Sequence, residues 1–188
     1  MSAMPVDPPG IPTLTTPRLV LRPFVFGDLD ELAALHAEES FWWYPLRSAM
    51  SRDETTGFLE RVLARYESDR FGLEALIDRA SGAMIGWAGL AVPHFLPEVL
   101  PAVEVGWRLS GAWRGQGLAT EAGAAAVEFG FTEGGLDRIV SIYEPENVAS
   151  GRVMDHLGFE HWRTTTGPRG YEVVVTELTR ARWEESRG

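Results

Sequence analysis

Glu104-Val105-Gly106-Trp107-Arg108-Leu109, followed after four residues by Arg114-Gly115-Gln116-Gly117-Leu118-Ala119-Thr120, is the stretch on which the reading of this chain turns. The first six residues read as a strand. The second run is a glycine turn that opens a helix of small residues, Leu118 to about Glu133, with Leu118, Ala122, Ala125 and Phe129 on its buried side. A strand that feeds a helix through a glycine turn makes an anion site. The first helical N–H groups lack internal acceptors, and the helix dipole adds about half a positive charge there. Gly115 and Gly117 let phosphate oxygens approach the backbone, and Thr120 offers a hydroxyl. The turn is neither a P-loop, since no Gly-Lys-Ser/Thr follows, nor a dinucleotide fingerprint, since Thr120 stands where a third glycine belongs.

Upstream, Arg18-Leu19-Val20-Leu21-Arg22-Pro23 alternates as a half-buried strand does. Asp28-Leu29-Asp30-Glu31 and Ser51-Arg52-Asp53-Glu54 read as two capping boxes, each opening a helix. The aromatic cluster Phe41-Trp42-Trp43-Tyr44 lies between them. Strands are expected over 71–78, 83–91 and 103–110, with a proline-bearing loop over 92–102. Downstream come a strand over 138–143, a helix over 147–157 ended by Gly158, and two closing strands over 159–165 and 171–178. The order β-α-α-β-β-β-α-β-α-β-β has more hairpins than crossovers. It predicts one α+β domain with a mixed sheet and helices on both faces. Residues 17–183 are expected to form that domain, after a flexible segment 1–16 and before a tail 184–188.

Composition narrows the function classes. The 188 residues suit one domain, and 27 acidic against 17 basic residues give a net charge of -10. That balance disfavours nucleic acid and anionic membranes, which require clustered Lys and Arg, and agrees with a basic partner such as an amine. The absence of cysteine excludes disulfides, thiolate nucleophiles and sulfur-ligated metals. The four histidines show no metal-ligand spacing, so no metal is expected. No apolar run is long enough to span a membrane and no secretory signal opens the chain, so the cytoplasm is the expected location.

Arg114-x-x-Gly117-x-Ala119 resembles the Q/R-x-x-G-x-G/A signature of the GNAT superfamily of N-acetyltransferases. Four further stretches, in the expected order, resemble its ribosomal-protein N-terminal (RimJ/RimL-type) branch: Arg18 to Pro23 with Asp28; Glu104 to Leu109; Asn147-Val148-Ala149-Ser150 with Leu157-Gly158-Phe159; and Val173 to Arg180 with Trp183. The resemblance covers about residues 18–183. It implies a largely antiparallel sheet and direct acetyl transfer from acetyl-CoA to a primary amine, on a protein N-terminus or a small molecule. A regulatory module that binds acetyl-CoA without catalysis is the alternative. A homodimer is compatible with the sequence but required by nothing in it.

The same resemblance implies roles. Backbone groups of Trp107, Arg108 and Leu109 are expected to pair with the pantetheine arm, and Arg114 to Thr120 to hold the pyrophosphate. Asn147 would position the arm. Glu104, a carboxylate interrupting an apolar strand, is the candidate general base, and Ser150, ranked above Tyr143, the candidate proton donor to the departing thiolate. Trp42, Trp43, Tyr44 and His94 are candidates for the acceptor pocket, in which aromatic faces would suit a cation.

Overall fold

A computed structural model describes residues 11–42, 48–168 and 170–188. Eight strands form one sheet: β1 (Leu14–Thr15), β2 (Leu19–Pro23), β3 (Leu73–Asp78), β4 (Met84–Ala91), β5 (Glu104–Leu109), β6 (Arg138–Tyr143), β7 (Glu160–Thr166) and β8 (Glu172–Thr179). Their spatial order is β1-β2-β3-β4-β5-β6-β8-β7. Every pairing is antiparallel except β5 with β6, and that one rests on a single residue pair, Glu104 with Val140.

Five α-helices accompany the sheet: α1 (Leu29–His36), α2 (Arg52–Arg65), α3 (Leu118–Thr132), α4 (Val148–His156) and α5 (Arg180–Glu185). Alternation along β5 assigns two of its faces. The Trp107 ring packs where Gly123 of α3 leaves room for it. Arg108 points to the opposite face, against Phe41 and Trp42 from the segment after α1. Helices therefore cover both faces, as the element order predicts.

The two expected capping boxes part ways. Ser51 accepts from the Glu54 N–H at 3.2 Å while the Glu54 carboxylate accepts from the Ser51 N–H at 2.7 Å, which starts α2. Asp28 makes no cap bond to α1. Its carboxylate instead takes two guanidinium bonds from Arg22, at 2.8 and 2.7 Å, and the Val25 N–H at 2.8 Å. A charged partner on β2, six residues back, outcompetes the N–H groups of α1. The chain start also differs from expectation. Ile11 is buried, and Leu14 and Thr15 pair with Leu21 and Val20, so these residues belong to the folded body and not to a flexible lead. At the other end α5 continues through Glu185, past the expected boundary at 183.

Candidate active site

The antiparallel ladder between β4 and β5 runs unbroken from Gly86–Leu109 to Ala91–Glu104. The Ser110 N–H bonds the Ile85 carbonyl at 2.9 Å. Counting back in alternation, the backbone groups of Arg108, Gly106 and Glu104 face β4, and those of Leu109, Trp107 and Val105 face β6. On the β6 side the ladder stops early. The Val140 N–H reaches the Val103 carbonyl at 2.9 Å, and beyond that point the strands diverge.

A continued parallel ladder would next place the Ile142 N–H on the Val105 carbonyl. Two side chains divide that bond between them. The Ser141 hydroxyl donates to the Val105 carbonyl at 2.9 Å, and the Ile142 N–H lies close enough to the Glu104 carboxylate to favour its ionised form. Past this fork the backbone groups of Trp107 and Leu109 look into the opening. The Leu109 carbonyl is taken by the Arg114 Nε at 3.1 Å, leaving its N–H facing the gap. Arg108, expected to contribute backbone here, has it turned toward Trp87 instead.

Glu104 sits half-buried at the fork's apex. Desolvation pushes its carboxyl up to about 8, against the smaller opposing pull of the Ile142 N–H. It therefore holds a proton with about the strength of an α-amino group, so transfer between the two is nearly level in free energy.

At the far end of β5, Gly115 and Gly117 have φ of 72° and 76°. That left-handed region favours glycine and reverses the chain so that α3 starts at Leu118. The first intrahelical bond is Glu121 N–H to the Gly117 carbonyl at 3.1 Å, which leaves the N–H groups of Leu118, Ala119 and Thr120 for a ligand. A Cβ at Gly115 would meet nothing within 4 Å, so this part of the turn faces open space. Two side chains brace it from behind: the Gln116 amide donates to the Ala112 carbonyl at 3.1 Å, and Arg114 also donates to the Ser40 carbonyl. Arg18 adds a third brace, donating to the Gln116 carbonyl at 2.8 Å while paired to Glu121 at 2.7 Å.

A model of the acetyltransferase (GNAT) domain matches residues 18–160. The chain belongs to this family. The [ribosomal protein uS5]-alanine N-acetyltransferase of Escherichia coli (strain K12) is 30% identical to it, over 93% of this chain and 94% of that protein. The N-acetyltransferase YnaD of Bacillus subtilis (strain 168) is 27% identical, over 77% and 81%. Among solved structures, a GnaT-family acetyltransferase from Bordetella pertussis is 26% identical and superposes with a TM-score of 0.78, over 89% of this chain and 99% of that one.

This GNAT domain is an N-acetyltransferase that draws its acetyl group from acetyl-CoA. Its own geometry fits that donor. Free N–H groups at the start of α3 suit a pyrophosphate, and the forked β5–β6 gap offers unpaired backbone to an amide-bearing arm. Beside the fork, the Asn147 side chain accepts from the Ser150 N–H at 3.2 Å and caps α4, leaving its amide hydrogens for a ligand. Ser150 is half-buried in the first turn of α4. The Tyr143 ring lies against Gly151 so closely that a Cβ there would be 3.4 Å from its hydroxyl oxygen. Both candidate donors thus stand at one end of α4.

On the opposite face, facing glycines leave a strip of β4 and β5 without side chains, a shallow trough in the sheet's surface. Gly89 and Gly106, paired across the strands, form its floor. Glu104 and Ala91 stand at one end, Arg108 and Trp87 at the other. A cleft of about 190 Å³ opens beside Ala91, between Phe58, Arg61 and Arg65 of α2 and Leu73 of β3. Trp42 is buried, its indole 4.5 Å from the Arg108 guanidinium. Its ring face, expected to attract a substrate cation, is already occupied by that arginine. Trp43 and Tyr44 lie outside the described residues. His94 is exposed in the loop between β4 and β5, which packs on β6 and β8 through Leu96, Val99 and Ala102. Among the described residues no helix is long and apolar enough to cross a membrane, and no cluster of three or more His, Asp or Glu could hold a metal.

Two participants escaped the sequence reading: the Ser141 hydroxyl and the Arg108 side chain. The one trace of the first was a lone serine within Ile139-Val140-Ser141-Ile142-Tyr143.

Proposed function

We propose that this chain acetylates the primary amine of an extended acceptor lying in the trough, with a protein N-terminus as the favoured acceptor. The observation that carries this is the position of Glu104, which stands at the meeting point of the fork and the trough.

Acetyl-CoA supplies a thioester carbonyl open to attack. Glu104 takes the proton from the amine, directly or through one water, as the nitrogen attacks. The Leu109 N–H, aimed into the fork, donates to the oxygen that gains negative charge. As the carbon–nitrogen bond forms and the carbon–sulfur bond breaks, the departing sulfur takes a proton from the Ser150 hydroxyl, which regains one from solvent while Glu104 releases its own there. Tyr143 is the second candidate for that step. Gly115 to Thr120 bind the pyrophosphate and Trp107 pairs with the arm, so that the acetyl carbon rests beside Glu104.

The relationship to the uS5-alanine enzyme supports a protein N-terminus, and with it a cytoplasmic setting. Residues 17–183 are the unit proposed to act. The test is release of the CoA thiol from acetyl-CoA in the presence of peptides with free N-termini, polyamines and small amines. Peptide-dependent release establishes the reading. Release with small amines alone moves the acceptor class, and no release with any amine overturns it.

A further inference from the structure

Arg108 is a half-buried cation with no carboxylate partner among the described residues. One nitrogen, Nη1, donates to the Phe41 carbonyl at 2.7 Å. The Nε is buried and unpartnered. The guanidinium lies 4.5 Å from the Trp42 ring and 5.5 Å from the Trp87 ring, and both indole N–H groups are likewise buried without partners. Burial and the nearby Arg114 lower its affinity for its own proton, to about 10.

His36 completes the wall, with its ring 4.7 Å from that of Trp42. The Thr55 hydroxyl spends its hydrogen on the Ser51 carbonyl, so it accepts from the His36 Nδ1–H at 3.0 Å. Burial, and then Arg108, hold His36 neutral down to about 4. It therefore gives Arg108 no counter-charge. Buried polar groups are rarely left unpaired, and here the Nε–H of an uncompensated cation and two neighbouring indole N–H groups all lack a partner.

A carboxylate fits that set. With Nη1 committed, the Nε–Nη2 edge is the one that grips a carboxylate with two parallel bonds. A cationic group does not fit, because Arg108 already fills the aromatic faces.

We propose that Arg108, with Trp42 and Trp87, forms a carboxylate subsite at the far end of the acceptor trough, so that the preferred acceptors are amines bearing a carboxylate. This rests on the reading of Glu104 as the base for acetyl transfer. The two residues are four apart on one strand, about 13 Å between Cα atoms. That span is too long for a free α-amino acid's own carboxylate. It matches an acidic side chain two or three residues into an extended peptide, or an ω-amino acid of similar length.

The test compares matched acceptors: Ala-Gly-Glu-amide with Ala-Gly-Gln-amide, and aminohexanoate with aminohexanamide. For wild type, kcat/KM for the acidic member of at least one pair is expected to exceed its neutral twin at least tenfold. A preference confined to the peptides assigns the subsite to an acidic N-terminal segment, and one confined to aminohexanoate to a small molecule. In Arg108→Gln the ratio is expected to collapse toward one, and in Arg108→Lys to be partly kept. The wild-type ratio needs no variant, so a misfolded Arg108→Gln leaves the proposal open to refutation. Equal rates for both twins in wild type, or a preference that survives in folded Arg108→Gln, overturn the subsite while leaving acetyl transfer intact. No transfer to any acceptor overturns the catalytic reading and the subsite with it.

Discussion

The hydroxyl of Ser141 on β6 donates to the carbonyl of Val105 on β5 at 2.9 Å, at the point where these two parallel strands separate. It fills the place of a backbone N–H. In doing so it leaves the Ile142 N–H to the Glu104 carboxylate, so one serine secures both the opening and its acid. Ser141→Ala is expected to lose about 1 kcal/mol of stability by denaturant unfolding. If the Ile142 N–H then moves to the Val105 carbonyl, Glu104 loses its donor. The rising limb of the pH–rate curve shifts to higher pH. An unchanged profile in the folded variant would show that the serine acts on packing alone.

Glu104→Gln is expected to lower kcat about 10²- to 10⁴-fold, the usual contribution of a positioned base, with the KM for acetyl-CoA little altered. For wild type the rate should climb as pH rises through about 8, where Glu104 ionises. The variant should lose that dependence once the amine's own titration is removed by using acceptors of different basicity.

Stability carries the same signature with the opposite sign. The folded-state carboxyl is raised to about 8, while an unfolded glutamate ionises near 4.3. Between those values the unfolded chain binds fewer protons, so wild-type stability falls as pH rises across that window. Glu104→Gln should remove this loss. Its melting temperature should match wild type near pH 4 and exceed it by about 10 °C or more at pH 8.5, in scans at matched ionic strength.

Gly115→Ala tests the phosphate cradle. The added methyl meets nothing within 4 Å, so its structural cost is the left-handed φ of 72°, about 1–2 kcal/mol. A methyl pointing where phosphate oxygens must approach should weaken acetyl-CoA binding at least tenfold in calorimetric titration. Binding within twofold of wild type would move the pyrophosphate elsewhere.

Ser150→Ala and Tyr143→Phe separate the two proton donors. The true donor's loss should lower kcat about 10²-fold at neutral pH and less at high pH, where a thiolate leaves without a proton. The other substitution should change kcat by no more than a few-fold.

Much of this fold was legible in sequence because its signals are local. The Ser51–Glu54 box, the left-handed glycines of the turn and the alternation of β5 each act within a few residues, and local rules read them correctly. The failures involve contacts that no local pattern announces. Asp28 gave up its cap for Arg22, six residues back on β2, and Leu14–Thr15 became a strand only because β2 offered an edge. The site divides in the same way. Glu104 and the glycine turn carry motif identity, whereas Ser141 and the Arg108 side chain acquire meaning only when β6 and the Trp42 segment are brought beside β5. No spacing rule along the chain encodes those encounters.

The two glycines beneath the trough are unequal. A Cβ at Gly89 would fall 2.2 Å from the Gly72 carbonyl oxygen, while one at Gly106 would touch only the edge of Trp87, at 3.9 Å. Gly89 is therefore fixed by the backbone behind it, whereas Gly106 is free to change. Alanine at that one position would add a methyl beside Trp87 without disturbing the sheet. Along the proposed acceptor path, that one position would set acceptor length, and selection or an engineer could re-address the enzyme there while leaving its acetyl-transfer chemistry alone.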